Sequence, residues 1–203
     1  MHHSDSAIVT TVDALAKLLD VCGELRASEQ VDERAVTGCS FDSRAVSAGD
    51  VFFCKGAAFK PAFLRMALDA GAVAFVCEES LVESLEPLAQ ESGAAMLVVD
   101  SVRAAMALLP PEVYDRPDRD VKIVGITGTK GKTTAAFMLQ SIIKAAGESC
   151  GMIGSVSTDD GIECYESTNT TPEAPEVWRH IANCRTSGRQ SMVMEVSSQA
   201  LKY

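Results

Sequence analysis

Ten consecutive residues, Gly125-Ile126-Thr127-Gly128-Thr129-Lys130-Gly131-Lys132-Thr133-Thr134, bring together the groups that hold a polyphosphate. Glycines let the backbone curl so that successive N–H groups point into one concavity, at the positive end of the helix that follows. Lys132 is a cation long enough to reach outer phosphates. The Thr133 hydroxyl is the kind of hard oxygen that coordinates the Mg²⁺ accompanying them. The common spacing G-x-x-x-x-G-K-[ST] asks for glycine at position 126, where Ile126 stands, so the loop is a variant, T-G-T-x-G-K-T. An ordinary Gly-rich turn explains the glycines, but not a lysine followed by two threonines behind an apolar strand. The reading is ATP binding with Mg²⁺, held by Gly128, Thr129, Lys130, Gly131, Lys132, Thr133 and Thr134.

Three other strings carry groups suited to an anionic partner: Asp42-Ser43-Arg44, Asn169-Thr170-Thr171-Pro172-Glu173, and Met194-Glu195-Val196-Ser197-Ser198-Gln199-Ala200-Leu201. Each also has a plain structural meaning. The first reads as a turn with a surface ion pair. The second reads as a helix N-cap with an acidic first turn. Glu195 reads as a structurally paired carboxylate, and Ser197-Ser198 as the cap of a last helix.

The elements that must position these groups alternate. Residues 11–20 have the period of an amphipathic helix, with Val12, Leu15, Leu18 and Leu19 on one side. Val36–Phe41 and Val51–Cys54 are strand-like. Pro61 opens a helix that runs to Ala70 ahead of Gly71. Ala72–Val76 is a strand, Leu81–Gln90 a helix, Ala95–Val99 a strand and Val102–Leu109 a helix. Pro110, Pro111 and Pro117, among charged residues up to Asp120, form the one convincing linker, which places a boundary between residues 1–116 and 117–203. Beyond it come a strand at Val121–Ile126, a helix at Lys132–Ala146 closed by Gly147, and a strand at Gly151–Val156. A helix at Glu173–Arg185 and a strand at Met192–Val196 follow. Such alternation implies an α/β layer structure, with a parallel βαβ core in the second segment.

Composition sets limits. The chain has 203 residues, 47% of them hydrophobic, with 28 acidic against 18 basic side chains. At roughly 150 residues per domain, that is one large domain or two small ones. The formal net charge of −10 argues against nucleic acid and anionic membranes, which ask for a broad basic face. It leaves room for a small anion held locally. No apolar run approaches the ~20 residues that span a bilayer, and the first ten residues lack a signal-peptide pattern. Seven scattered cysteines without a C-x-x-C pair suggest reduced thiols and a cytoplasmic protein. His2, His3 and His180 have no partners nearby in sequence to build a metal cluster, and His180 is expected on the solvent or core face of its helix. Trp178 and the methionines read as packing.

The loop resembles the TGTxGKT[TS] element of the Mur ligase family. Asp42-Ser43-Arg44 followed by Gly49-Asp50-Val51-Phe52-Phe53 resembles that family's N-terminal uridine-nucleotide signature. Asn169 to Glu173 resembles its TTPE element, and Met194 to Leu201 its MEVSSHAL motif. The resemblance implies a small N-terminal α/β uridine-nucleotide-binding domain followed by a truncated, Rossmann-like parallel-sheet P-loop ATPase domain. It also implies a ligase of peptidoglycan synthesis. ATP phosphorylates the carboxylate of UDP-N-acetylmuramoyl-L-alanyl-D-glutamate, and an amino acid, lysine or diaminopimelate, attacks the acyl phosphate. Lys132 and Glu195 are then the catalytic residues, Thr133 and Glu195 the metal ligands. Phe41, Ser43, Arg44, Asn169, Thr170, Thr171 and Ser197 bind the UDP-muramoyl-dipeptide. A monomer is expected, with neither nucleic acid nor membrane as partner. A non-catalytic nucleotide- or UDP-sugar-binding module is the alternative.

The chain departs from the family pattern in places. Gln199 stands where the family usually has His, and Lys130 where it usually has Asn. After Lys55-Gly56, where the family commonly shows a D-G-H triplet on the uridine side, the run here is Ala57-Ala58-Phe59-Lys60-Pro61-Ala62. The resembled enzymes continue well beyond Tyr203, into a domain that binds the incoming amino acid and past a carbamylated lysine holding a second Mg²⁺. Residues 1–203 alone are therefore expected not to turn over, and the incomplete sheet is expected to expose a strand edge and apolar surface.

Overall fold

The computed structural model describes residues 10–202, apart from the side chains of Leu201 and Lys202; His2 and His3 lie outside the described residues. The chain divides into two compact units, Met1–Asp115 and Arg116–Tyr203.

In the first unit α1 (Val12–Val21) starts at Thr11, whose hydroxyl accepts the Ala14 amide at 3.2 Å. Its buried residues, Val12, Leu15, Ala16 and Leu19, recur at helical spacing. There follow β1 (Leu25–Glu29), β2 (Gly38–Ser40), β3 (Asp50–Phe53), α2 (Pro61–Asp69), β4 (Ala74–Glu78), α3 (Val82–Ser92), β5 (Ala95–Val99) and α4 (Val102–Val113). The sheet order is β1-β5-β4-β3-β2, with β2 to β5 parallel and β1 antiparallel to β5.

The strands β3, β4 and β5 are apolar at every core position because both faces are covered. Val51, Phe53, Ala74, Val76, Ala95, Leu97 and Val99 pack with α1 and α4 on one side. Phe52, Phe75, Cys77, Met96 and Val98 pack with α2 and α3 on the other. Each fully buried Phe or Leu contributes roughly 1.5–3 kcal/mol to holding these layers together.

One expectation needs correction here, and one strand had not been foreseen. The linker does not begin at Pro110: both Pro110 and Pro111 are buried within α4, which continues to Val113. A proline costs a helix its own N–H bond and crowds the preceding turn. The next bond still forms, from the Tyr114 amide to the Pro110 carbonyl at 3.1 Å. The helix ends where Asp115 and Arg116 take positive φ, 55° and 45°. Strand β1 gave no sequence signal, since LRASE is polar and mostly exposed at the sheet edge.

Asp50 sits in this core, with Oδ2 accepting the Ser47 amide at 2.9 Å. Burial lifts its carboxyl above the usual range, against the pull of that amide. The folded state therefore favours the protonated form, and stability falls as pH rises above about 4. Scanning calorimetry should show the melting temperature of the wild type dropping relative to Asp50→Asn between pH 4 and 7. A constant difference between the two would contradict this.

In the second unit β6 (Lys122–Ile126) leads to α5 (Lys132–Ala145), β7 (Cys150–Ile153), β8 (Ser157–Asp159) and β9 (Cys164–Glu166). Then come α6 (Ala174–Thr186), β10 (Ser191–Glu195) and α7 (Ser198–Lys202). The order is β6-β10-β7-β8-β9, with β6, β10 and β7 parallel and β8 and β9 antiparallel. Strand β10, last in sequence, inserts between β6 and β7. Glu195 is thereby level with Ile126, and Met194 with Ile153.

The strand expected to reach Val156 stops at Ile153. The Gly154 amide bonds the Ser157 carbonyl at 3.1 Å and turns the chain into β8. Strand β6 is apolar as expected but lies at the edge of the described sheet. Ile123 and Val124 are exposed there, as are Met138 and Ile142 of α5, which are over 60% accessible.

Among the described residues, no helix is long and apolar enough to cross a membrane, and all seven cysteines are free. Burial pushes the Cys77 and Cys184 thiols up to about 12, so they pack as small apolar groups instead of reacting.

Candidate functional site

In parallel sheets, ligands gather at the carboxyl ends of the strands, where the order of connection reverses. Because β10 lies between β6 and β7, three segments converge at that edge of the second unit: the glycine loop after β6, the turn after β7, and the end of β10.

The glycine loop has the backbone its composition suggests. Gly128 at φ 146° and Gly131 at φ 80° occupy regions that L side chains rarely adopt. At Gly125 a Cβ would lie 3.2 Å from Val196 Cγ2, a tight contact with the residue that follows β10. Gly131 caps α5 without any side-chain hydrogen bond, leaving the first amides of that helix available to an anion. Thr129, Lys130 and Thr134 are exposed around it. Lys132 Nζ donates to the Gly128 carbonyl at 2.8 Å, across the mouth of the loop.

Glu195 is 1% exposed, and its carboxylate faces the loop. Thr133 Oγ1 donates to Oε2 at 2.9 Å. The Ser155 amide donates to Oε1 at 2.9 Å, and Ser155 Oγ lies 3.2 Å from Oε2. The approach is close enough to demand glycine at 154, where a Cβ would sit 2.6 Å from Oε1. A threonine hydroxyl beside a carboxylate, next to uncapped helix amides, is a donor set suited to Mg²⁺ with phosphate oxygens.

Thr171 and Thr170 tie the segment before α6 to this edge. Thr171 Oγ1 donates to the Glu195 carbonyl at 2.9 Å and accepts the Ser197 amide at 3.0 Å. Thr170 Oγ1 is 3.0 Å from Ser155 Oγ. Asn169 is exposed beside them. Ser197 Oγ accepts the Ala200 amide at 3.1 Å and so also caps α7. Glu173 caps α6, its amide bonded by Glu176 Oε2 at 3.3 Å. The structural meanings of these strings and their place at the site coexist.

In the first unit a separate cleft of about 440 Å³ is lined by Phe41, Ser43, Arg44, Lys55, Phe59 and Phe63, among others. Arg44 pairs with Asp42 at 2.6 Å, and this hydrogen-bonded guanidinium holds the Asp42 carboxyl below its usual range. Lys55 Nζ stands 5.1 Å from the centre of the Phe41 ring. Ala58 lines the cleft. Aromatic faces with two cations suit a planar anionic ligand.

Sequence reasoning missed Ser155, whose only signal is its place after a Gly at a strand end. It also missed a buried network in the same unit. His180, expected on the solvent or core face of its helix, is fully buried, with Nδ1 2.6 Å from Asp160 Oδ2 and Nε2 3.0 Å from the Tyr165 hydroxyl. Ligand atoms of Asp160, Glu163 and His180 lie within 4.8 Å of one another. This is not a built metal centre. Asp160 Oδ1 accepts the Ile162 and Glu163 amides, Oδ2 also accepts Asn183 Nδ2 at 2.8 Å, and Glu163 pairs with Arg179.

The fold is thus that of an α/β protein whose second unit is Rossmann-like, with a glycine loop and a buried carboxylate meeting at one sheet edge. Residues 126–203 match the Mur ligase middle domain. The UDP-N-acetylmuramyl-tripeptide synthetase of Lactobacillus delbrueckii subsp. bulgaricus is 40% identical over 167 residues, 80% of this chain and 31% of that protein. The UDP-N-acetylmuramoyl-L-alanyl-D-glutamate--L-lysine ligase of Enterococcus faecalis is 38% identical over 180 residues, 88% and 34% of the two chains. A solved UDP-N-acetylmuramoyl-L-alanyl-D-glutamate--2,6-diaminopimelate ligase superposes with a TM-score of 0.68 at 17% identity, over 96% of this chain and 37% of that one. The chain belongs to the Mur ligase family. It spans about a third of the length of the curated relatives it matches.

Proposed function

We propose that the chain carries the ATP and UDP-muramoyl-dipeptide sites of a ligase that adds lysine or diaminopimelate to UDP-N-acetylmuramoyl-L-alanyl-D-glutamate in the cytoplasm. The observation that carries this reading is the 2.9 Å contact between Thr133 and Glu195, on two segments 62 residues apart. The names of the 40% and 38% identical relatives support the substrate class.

A carboxylate and a triphosphate repel each other, so positive charge must gather before phosphoryl transfer. Lys132 and the amides at the start of α5 take the β- and γ-phosphates, with Gly128, Thr129, Lys130, Gly131 and Thr134 shaping the cradle. Thr133 and Glu195 would hold Mg²⁺, which neutralises phosphate charge when bound. Asn169, Thr170, Thr171 and Ser197 hydrogen-bond the dipeptide end beside Glu195. Phe41, Ser43 and Arg44 take the uridine diphosphate in the first unit's cleft, with Lys55 adding a cation. The protein acts as a monomer, with no nucleic acid or membrane partner.

Calorimetry tests this with Mg·ATP and with UDP-N-acetylmuramoyl-L-alanyl-D-glutamate, each titrated into residues 1–203. Both are expected to bind at one site each. Phe41→Ala is expected to weaken the second ligand roughly tenfold, the loss of one aromatic contact with its adjacent cation, and to leave Mg·ATP untouched. Equal weakening of both ligands, or binding of neither, would contradict the assignment.

A further inference from the structure

We propose that Ser155 is a positioning residue, fixing the Glu195 carboxylate against Thr133 and linking it through its hydroxyl to Thr170. The proposal rests on the reading of the glycine loop as a Mg·ATP site and adds a residue to it.

The geometry is that of a clamp. Glu195 ends β10, and its carboxylate must be held in one orientation if Oε2 is to face Thr133. Ser155 holds it at two points, through the backbone amide to Oε1 at 2.9 Å and the hydroxyl to Oε2 at 3.2 Å. Hydrogen bonds to an ionised acceptor are about twice as strong as neutral ones, and two-point contact fixes the plane of the carboxylate as well as its position. Gly154 makes room for this approach.

The hydroxyl does a second thing. It carries a single proton and has oxygens on both sides, Glu195 Oε2 at 3.2 Å and Thr170 Oγ1 at 3.0 Å. Both oxygens accept from it, so the Ser155 proton is shared between Thr170 Oγ1 and the Glu195 carboxylate. A chain of two hydroxyls therefore runs from the segment before α6 to the carboxylate facing the loop. When a ligand engages Thr170 Oγ1, Ser155 loses that acceptor and its proton turns wholly to Glu195 Oε2, so the carboxylate senses the ligand through the shared hydroxyl. Ser155 is exposed, so removing its hydroxyl leaves no buried hole.

The experiment is calorimetric titration of a non-hydrolysable ATP analogue into residues 1–203, with Mg²⁺ in excess over the nucleotide and with EDTA. Wild type, Ser155→Ala, Ser155→Thr, Thr170→Val and the double variant are compared. Ser155→Ala retains the amide and is expected to weaken Mg²⁺-dependent binding roughly tenfold, as for one charge-assisted bond. Binding in EDTA and the melting temperature should stay unchanged. Ser155→Thr should restore affinity to within about threefold, since its hydroxyl can take the same place. In the Ser155→Ala background, Thr170→Val should have no further effect. Ser155→Ala binding Mg·ATP as wild type does, or losing the same factor in EDTA, overturns the positioning role alone. Additive losses in the double variant overturn the link to Thr170. A wild type that binds no nucleotide in either condition overturns the underlying site reading together with this proposal.

Discussion

Lys132→Ala is expected to abolish ATP binding to residues 1–203 while leaving the fold intact. The ammonium is the loop's terminal cation, and its hydrogen bond is to the Gly128 carbonyl of the same loop, 2.8 Å away. No packing depends on it, and alanine at the start of α5 is a favourable helix residue. A triphosphate loses its charge-assisted partner, so affinity should fall at least about a hundredfold, roughly 3 kcal/mol. The melting temperature should move by no more than about 3 °C. Calorimetry and circular dichroism together decide the matter. Unchanged affinity would remove Lys132 from the site; lost affinity with a lost fold would make it structural.

The second large effect concerns stability. Asp160→Ala should destabilise the second unit by about 3 kcal/mol or more, because it leaves four donors without their acceptor. These are the Ile162 and Glu163 amides, His180 Nδ1 and Asn183 Nδ2. His180 and Asp160 are fully buried, so water does not replace the carboxylate. Trp178 is the only tryptophan in the chain and packs against the core of this unit, so its fluorescence follows this transition.

A pH signature accompanies the substitution. Burial opposes ionisation of Asp160, but the hydrogen bonds from Glu163, His180, Asn183 and Ile162 together hold its carboxyl below the usual range. Its contribution is therefore present above about pH 4 and disappears as pH falls through the lower folded value. The wild type should lose this part of its stability in acid, and Asp160→Ala should lack that loss. A change under about 1 kcal/mol at pH 7 would show that the network carries no such weight.

Most of the layered architecture was legible in the order of residues. Strand β5 was read at its observed bounds because AMLVV is a continuous apolar run between a glycine turn and a helix-capping serine. The helix α5 followed from the glycine loop at one end and Gly147 at the other. What stayed hidden lacks local pattern. β1, β8 and β9 are short and largely polar, and exist because a neighbouring strand offers them a ladder. The two prolines that read as a linker fall in the last turn of α4 and are buried there, a tertiary fact that composition does not carry.

The sequence by itself determined which groups are present: a phosphate loop with its two essential left-handed glycines, a lysine, hydroxyls and a carboxylate at a strand end. Backbone conformation and residue chemistry are local properties, written in neighbouring side chains. Only the tertiary structure decided that β10 slides between β6 and β7. That single choice of strand order sets Glu195 opposite Thr133 and beside Ser155, and the packing of α6 against the turn after β8 joins His180 to Asp160. Such pairings depend on which strands find each other in space, a question settled by the burial of whole faces and not by any one segment.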